Sequence, residues 1–166
     1  MSTTPTTSVH LERTFDAPAE AVFDAWTNPA VLERWWVTDP AWTTPVAEVD
    51  LREGGRWRLS MEDPAEGRRY TVAGEYHEVR RPDRLVYTWC WETGDPPDGH
   101  VSLVTVDFVE SGGRTTVVLE HARLASPASR DGHAAGWEAC LGSLADRIFP
   151  TTTHDDARAR AGRKEQ

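Results

Sequence analysis

The sequence has few cysteines, no long apolar segment and a shortage of basic residues. Its 166 residues include two cysteines, Cys90 and Cys140, too few for a disulfide framework. No apolar run approaches the ~20 residues that a membrane-spanning helix requires. Lysine and arginine total 18 against 27 aspartates and glutamates, a net charge of -9, and this field repels phosphate backbones and anionic headgroups. These shortages argue against a disulfide-stapled scaffold, membrane insertion and a nucleic-acid partner.

The two ends of the chain differ in composition from the middle. Residues 1–8 are rich in Ser, Thr and Pro and have neither the basic nor the apolar region of a secretory signal. We therefore expect a cytoplasmic protein with reduced cysteines. One domain accounts for the length, because folding a chain of this size buries roughly 70% of its surface. We assign residues 9–149 to it and predict disordered tails at 1–8 and 150–166, where apolar periodicity is lacking.

Hydrophobic periodicity predicts an α+β domain. Val9–Phe15 alternates apolar and polar side chains, which is typical of a strand. Two short helical patterns follow, on either side of Asn28-Pro29. From Val46 to Ala122, six further strands are separated by Gly, Pro and Asp clusters, and most connections are too short for a parallel crossover. The pattern predicts a seven-stranded antiparallel meander.

The last predicted element is a long helix that begins at Ser126-Pro127, a polar cap followed by a proline in the first turn. Residues spaced by three and four form one stripe that we expect to lie on the sheet: His133, Trp137, Leu141, Leu144 and Ile148. Three glycines, at 132, 136 and 142, each cost roughly 1 kcal/mol relative to alanine inside a helix. We expect them to permit close approach to bulky neighbours.

Aromatic side chains dominate the predicted inner face of the sheet. The chain has eight tryptophans, and the strand at 84–91 places Tyr87, Trp89 and Trp91 on one side. One helix stripe cannot fill such faces, and Gly74 suits the bulge that a curved sheet requires. We therefore predict an internal cavity for a small hydrophobic or aromatic ligand. The predicted ligand-binding residues are Trp36, Trp57, Leu59, Met61, Tyr70, Tyr87, Trp89, Trp91, Val106, Leu119, His121, Trp137 and Leu141.

Few polar groups on this face could perform chemistry. His121 with Tyr87 or Tyr70 could serve as the base and acid of a cyclase or dehydratase. A histidine on an apolar strand face is, however, more often a hydrogen-bonded core residue. Cys140 with His121 and His133 lacks the paired spacing of a zinc site. We assign no catalytic residue, metal or cofactor, and favour binding over catalysis.

Several motifs match a known sequence pattern. They are Phe-Asp-Ala-Trp-Thr-Asn-Pro at 23–29, Arg-Trp-Trp at 34–36, Asp-Leu-Arg-Glu-Gly-Gly-Arg-Trp at 50–57, Gly-Glu-Tyr at 74–76, Pro-Asp-Arg-Leu-Val-Tyr-Thr-Trp at 82–89, and the helix residues His133, Gly136-Trp137 and Leu141. Over residues 9–149 the chain resembles the START-like (SRPBCC) superfamily, in the branch related to the C-terminal domain of the activator of the 90-kDa heat-shock-protein ATPase.

The resemblance implies a helix-grip fold, in which a curved seven-stranded sheet surrounds a long C-terminal helix and two short helices follow strand one. Relatives in the superfamily bind lipids, sterols or polyketides, and some are aromatases or cyclases. The branch also implies a third hypothesis, a chaperone co-factor that acts through its surface. No segment of the sequence is dedicated to a partner, so neither a chaperone nor a homodimer is indicated by the residues themselves.

Overall fold

The computed structural model describes residues 7–92 and 100–150. Its strands are β1 (Val9–Phe15), β2 (Thr43–Val49), β3 (Arg56–Asp63), β4 (Arg68–Arg80), β5 (Arg84–Trp91), β6 (Ser102–Ser111) and β7 (Arg114–Ala122). Its helices are α1 (Ala19–Thr27), α2 (Pro29–Trp35) and α3 (Pro127–Arg147). The predicted α+β fold class is confirmed. The tails predicted at 1–8 and 150–166 lie outside the described residues, except for 7, 8 and 150.

All seven strands form one antiparallel sheet in the order β1-β7-β6-β5-β4-β3-β2. Strands β2 to β7 follow one another as the expected meander, and β1 closes the far side by pairing with β7, with Leu11 opposite Leu119. The bulge that helps to curve the sheet lies in β4 between Tyr76 and Glu78. The expectation that Gly74 forms this bulge is wrong. A Cβ at Gly74 would lie 1.9 Å from the carbonyl oxygen of Thr88, so this glycine permits close approach of β5.

The helix starts follow from local sequence in two cases and from a distant residue in the third. The Asn28 side chain accepts a hydrogen bond from the Ala30 N–H at the start of α2, and Ser126 accepts from the Ser129 N–H at the start of α3. Helix α1 begins after Pro18 and has no side-chain cap of its own. Its first N–H instead donates to Glu110 Oε1 in β6, at 2.8 Å.

The core lies between the inner face of the sheet and the three helices. Trp137, Leu141 and Leu144 of the predicted stripe are buried, with Cys140 beside them, while His133 and Ile148 are half-buried. The predicted face of α3 is therefore confirmed. No helix in the part of the chain that the structure describes is long and apolar enough to cross a membrane.

The expected close approach at the α3 glycines is wrong. A Cβ at Gly132 would meet no atom within 4 Å. At Gly136 it would lie 3.7 Å from Thr38 Cγ2, and at Gly142 it would lie 3.9 Å from Arg13 Nη1, both ordinary contacts. Gly132 borders open space, and Gly136 meets the Thr38 side chain rather than a bulky neighbour.

Candidate ligand-binding cavity

A cavity of about 850 Å³ lies between α3 and the sheet. Its volume falls within the roughly 300–1,000 Å³ that is typical of small-molecule sites. Residues of β3, β4 and β5, the segment before β2, the start of β6 and the chain from Leu124 to Cys140 all contribute to the lining. None of the described residues that line it is Asp, Glu, Lys or Arg.

Two walls of different character border this space, which opens to solvent beside exposed lining residues such as Gly132 and Ala135. The sheet side carries large side chains, with Trp42 stacked on Tyr70 at a ring-centroid distance of 5.6 Å and Trp89 packed against Trp91 at 5.6 Å. Beside His133 and Trp137, the α3 side carries five residues with little or no side chain: Ala128, Gly132, Ala135, Gly136 and Ala139. These five positions recur at spacings that place them on one helix face. The cavity exists because bulky aromatics on one wall face small residues on the other.

Six predicted ligand-binding residues line the cavity: Trp36, Met61, Tyr70, Trp89, Trp91 and Trp137. Three others, Trp57, Leu59 and Tyr87, border a separate space of about 20 Å³ that Trp36 and Trp89 also touch. The remaining four, Val106, Leu119, His121 and Leu141, are buried in the core and do not line the cavity. Whether any of these residues contacts a ligand stays a prediction.

Sequence reasoning missed a second group of lining residues. Thr38, Trp42 and Leu124 lie in segments between regular elements, where periodicity gives no facing. Ser102 opens β6, next to the connection from β5. The small residues of α3 carry a signal in the sequence, since Ala and Gly recur at helical spacing and so predict one helix face with little side-chain volume.

His121 is hydrogen-bonded through both ring nitrogens in a buried chain behind the cavity wall. Its Nδ1 accepts from Trp137 Nε1–H at 3.0 Å, which places its own proton on Nε2. Nε2–H then donates to Ser102 Oγ at 2.7 Å, and the Ser102 hydroxyl donates to the Trp89 carbonyl at 3.3 Å. Both ring nitrogens are used in the neutral form. Burial, together with a smaller contribution from neighbouring His133, lowers the pKa of His121 to about 3.

His133 repeats this arrangement on the cavity wall with the opposite tautomer. Its Nε2 accepts from Trp91 Nε1–H at 3.0 Å, and its Nδ1–H donates to the Ser129 carbonyl at 2.7 Å. The rings of His121 and His133 lie 4.9 Å apart. Burial lowers the pKa of His133 as well. Protonation of either ring would convert its acceptor nitrogen into a donor that faces an indole N–H. These contacts therefore favour the neutral form of both histidines.

The proposed acid and base pair is not assembled in the cavity. His121 and Tyr87 do not line it. The Tyr87 hydroxyl accepts from Trp26 Nε1–H at 3.1 Å, and burial raises the pKa of this phenol. Tyr70 does line the cavity, but His121 is separated from that space by the side chains it bonds. Within residues 7–92 and 100–150, no group of three His, Cys, Asp or Glu is arranged to hold a metal ion.

Comparison with known proteins identifies relatives of the whole domain. Residues 16–148 match the family model described as Activator of Hsp90 ATPase homolog 1-like protein. The human Activator of 90 kDa heat shock protein ATPase homolog 1 is 22% identical over 134 residues. That match covers 81% of this chain but 34% of the human protein, so the chain spans about a third of this relative's length.

Solved structures show the same fold. The AHSA1 protein from Silicibacter pomeroyi is 30% identical with a TM-score of 0.73, and the match covers 84% of this chain and 95% of that one. An HSP90 activator from Plasmodium falciparum is 24% identical with a TM-score of 0.63, over 83% of this chain and 93% of that one, and this likeness shows the fold alone. The START-like, helix-grip architecture expected from the sequence is confirmed. With the family model matching most of its length, the chain belongs to the Activator of Hsp90 ATPase homolog 1-like family.

Proposed function

We propose that this protein binds a small hydrophobic or aromatic molecule in the cavity beside α3. The observation that carries the proposal is the 850 Å³ space itself, with aromatic rings on one wall and small residues on the other. Moving apolar surface from water into such a site contributes roughly 25 cal/mol per Å². A flat ligand could contact the indoles of Trp89 and Trp137, whose rings lie 5.2 Å apart at 45°.

The two glycines of the cavity wall support a binding role over a packing defect. Protein interiors contain few voids larger than a water molecule. Gly132 and Gly136 leave space unfilled, and each also costs roughly 1 kcal/mol of helix stability relative to alanine. An alanine would fit at both positions. Alanine at these positions would both fill space and stabilise the helix. Retaining glycine therefore supports a binding role for the open space.

Fluorescence titration with N-phenyl-1-naphthylamine, a neutral apolar probe, tests the proposal. We expect saturable binding to the wild type and at least a tenfold weakening, about 1.4 kcal/mol, in the double variant Gly132→Phe/Gly136→Phe, whose rings would project into the cavity. Glu138→Phe adds the same ring on the exposed face of α3, away from the cavity, and should bind the probe as the wild type does. Equal binding by all three folded proteins would refute the cavity as the site.

The family relationship favours a second candidate function, stimulation of a chaperone ATPase. The matched human protein is named as an activator of the 90 kDa heat shock protein ATPase, and this chain corresponds to about a third of it. The test is the ATP hydrolysis rate of a purified Hsp90 with and without saturating protein. A rate increase that survives Gly132→Phe/Gly136→Phe would assign this function to the surface rather than the cavity. The cytoplasmic location expected from the sequence stays a prediction.

A further inference from the structure

We infer that the cavity discriminates by charge: it accepts uncharged ligands and excludes the same scaffold when it carries a carboxylate or sulfonate. This inference rests on the proposed binding function and specifies the class of ligand. An anion buried without a counter-ion loses its hydration and gains nothing in return. The discrimination follows from which groups are available on the walls.

The walls provide no cationic side chain. None of the described lining residues is Lys or Arg. The whole chain carries a net charge of -9, so the long-range field also opposes an approaching anion.

The imidazoles of the wall cannot readily substitute for a missing cation. His133 uses both nitrogens in its neutral form, one facing the Trp91 N–H and the other the Ser129 carbonyl. A proton on Nε2 would place two donors against each other. His100 Nε2 lies 2.7 Å from the Arg123 carbonyl, so this nitrogen already has a protein partner. The burial that lowers the pKa of His133 acts in the same direction.

The start of α3 is a further source of positive potential near the cavity, since helix N-termini attract anions through unpaired N–H groups. Here most of those groups are already occupied or missing. Pro127 has no N–H, the Ser129 N–H donates to Ser126 Oγ, and the Arg130 N–H donates to the Ser126 carbonyl. Among the described residues, the Ala128 N–H is the one donor of this turn with no acceptor, and a single N–H is a weak site for an anion.

A matched pair of probes tests the inference. N-Phenyl-1-naphthylamine and 1-anilinonaphthalene-8-sulfonate share one aromatic scaffold and differ by the sulfonate. At about pH 8 we expect the neutral probe to bind the wild type at least tenfold more tightly. If the neutral probe does not bind at all, the proposed function fails. If both bind with equal affinity and both are weakened by Gly132→Phe/Gly136→Phe, the binding function stands and the charge inference is overturned.

Adding a cation to the wall should offset the discrimination. Ala135 lines the cavity and is exposed, so Ala135→Lys should raise the affinity for the sulfonate, relative to that for the neutral probe, at least tenfold. Glu138→Gln changes the net charge by the same amount outside the cavity and should change neither affinity. Ala128→Lys provides a second wall position should Ala135→Lys not fold. Failure of both folded lysine variants to gain sulfonate affinity would contradict the inference.

Discussion

The contribution of the Trp137–His121 hydrogen bond to stability can be measured by comparing Trp137 with Trp89, a neighbouring tryptophan whose indole N–H has no acceptor among the described residues. Trp137 and Trp89 are both about 95% buried, with 4% and 5% of their surface exposed, and both line the cavity. Trp137 Nε1–H donates to His121 Nδ1 at 3.0 Å, whereas Trp89 Nε1 is buried and finds no acceptor among the described residues. Replacing either tryptophan by phenylalanine removes the same atoms, but only Trp137→Phe also removes a hydrogen bond.

Trp137→Phe should cost more stability than Trp89→Phe by at least about 1 kcal/mol. The loss of indole volume is common to both variants and cancels to first order. Trp137→Phe also leaves His121 Nδ1 buried without a donor, a penalty of roughly 1–3 kcal/mol. Trp89→Phe instead removes a donor that is already desolvated and unpaired, which offsets part of its packing loss.

Urea unfolding followed by far-ultraviolet circular dichroism measures the difference, because tryptophan fluorescence itself changes with these substitutions. An unchanged denaturant slope would show that the free energies are comparable. If Trp89→Phe loses as much stability as Trp137→Phe, or more, then the Trp137–His121 bond does not contribute as argued, and the fixed tautomer of His121 loses its support.

Two further predictions concern stability. Gly132→Ala should stabilise the protein by about 0.5–1 kcal/mol, since its Cβ meets nothing within 4 Å, whereas Gly74→Ala should destabilise it because its Cβ would lie 1.9 Å from the Thr88 oxygen; urea midpoints that move in the same direction would contradict this. In the folded state the pKa of His121 is about 3, whereas in the unfolded state it is about 6.5. Between about pH 3 and about pH 6.5 the unfolded state therefore binds a proton that the folded state does not. Stability should therefore fall as the pH decreases from about 6.5 towards 3, by up to about 1.4 kcal/mol per pH unit from this group, and urea melts of His121→Gln across that range should show a shallower slope than the wild type.

Much of the fold could be predicted because its signals are local. The alternation in Val9–Phe15 and Arg84–Trp91 marked strands with the bounds that the structure gives them, and Ser126-Pro127 marked the start of α3. Strand parity also placed Trp57, Tyr87 and Trp89 correctly on the buried side with Trp137. The pairing of β1 with β7 joins residues about a hundred positions apart, and no local pattern announces such a contact.

The site was less predictable than the fold. Strand alternation predicts which face of the sheet a side chain occupies, but not which residues it contacts there. Trp57 and Trp89 share the inner face and lie 5.6 Å apart, yet only Trp89 reaches the cavity. Leu119 and Val106 occupy the same side but are fully buried in the core. Which part of a face stays open depends on where the helix carries small residues, and that requires the sequence of α3 to be combined with the register of the sheet.

Trp137 lies between the part of α3 that lines the cavity and the part that packs in the core. On its N-terminal side the helix presents Gly132 and Gly136 to open space, and on its C-terminal side Leu141 and Leu144 are buried in the core. The indole itself does both, since it lines the cavity on one side and stacks on Trp26 at 6.1 Å and 14° on the other. Its bond to His121 fixes the ring at this boundary. A change that frees the ring should therefore alter cavity shape and core packing together, so that one side chain would couple the proposed ligand binding to stability.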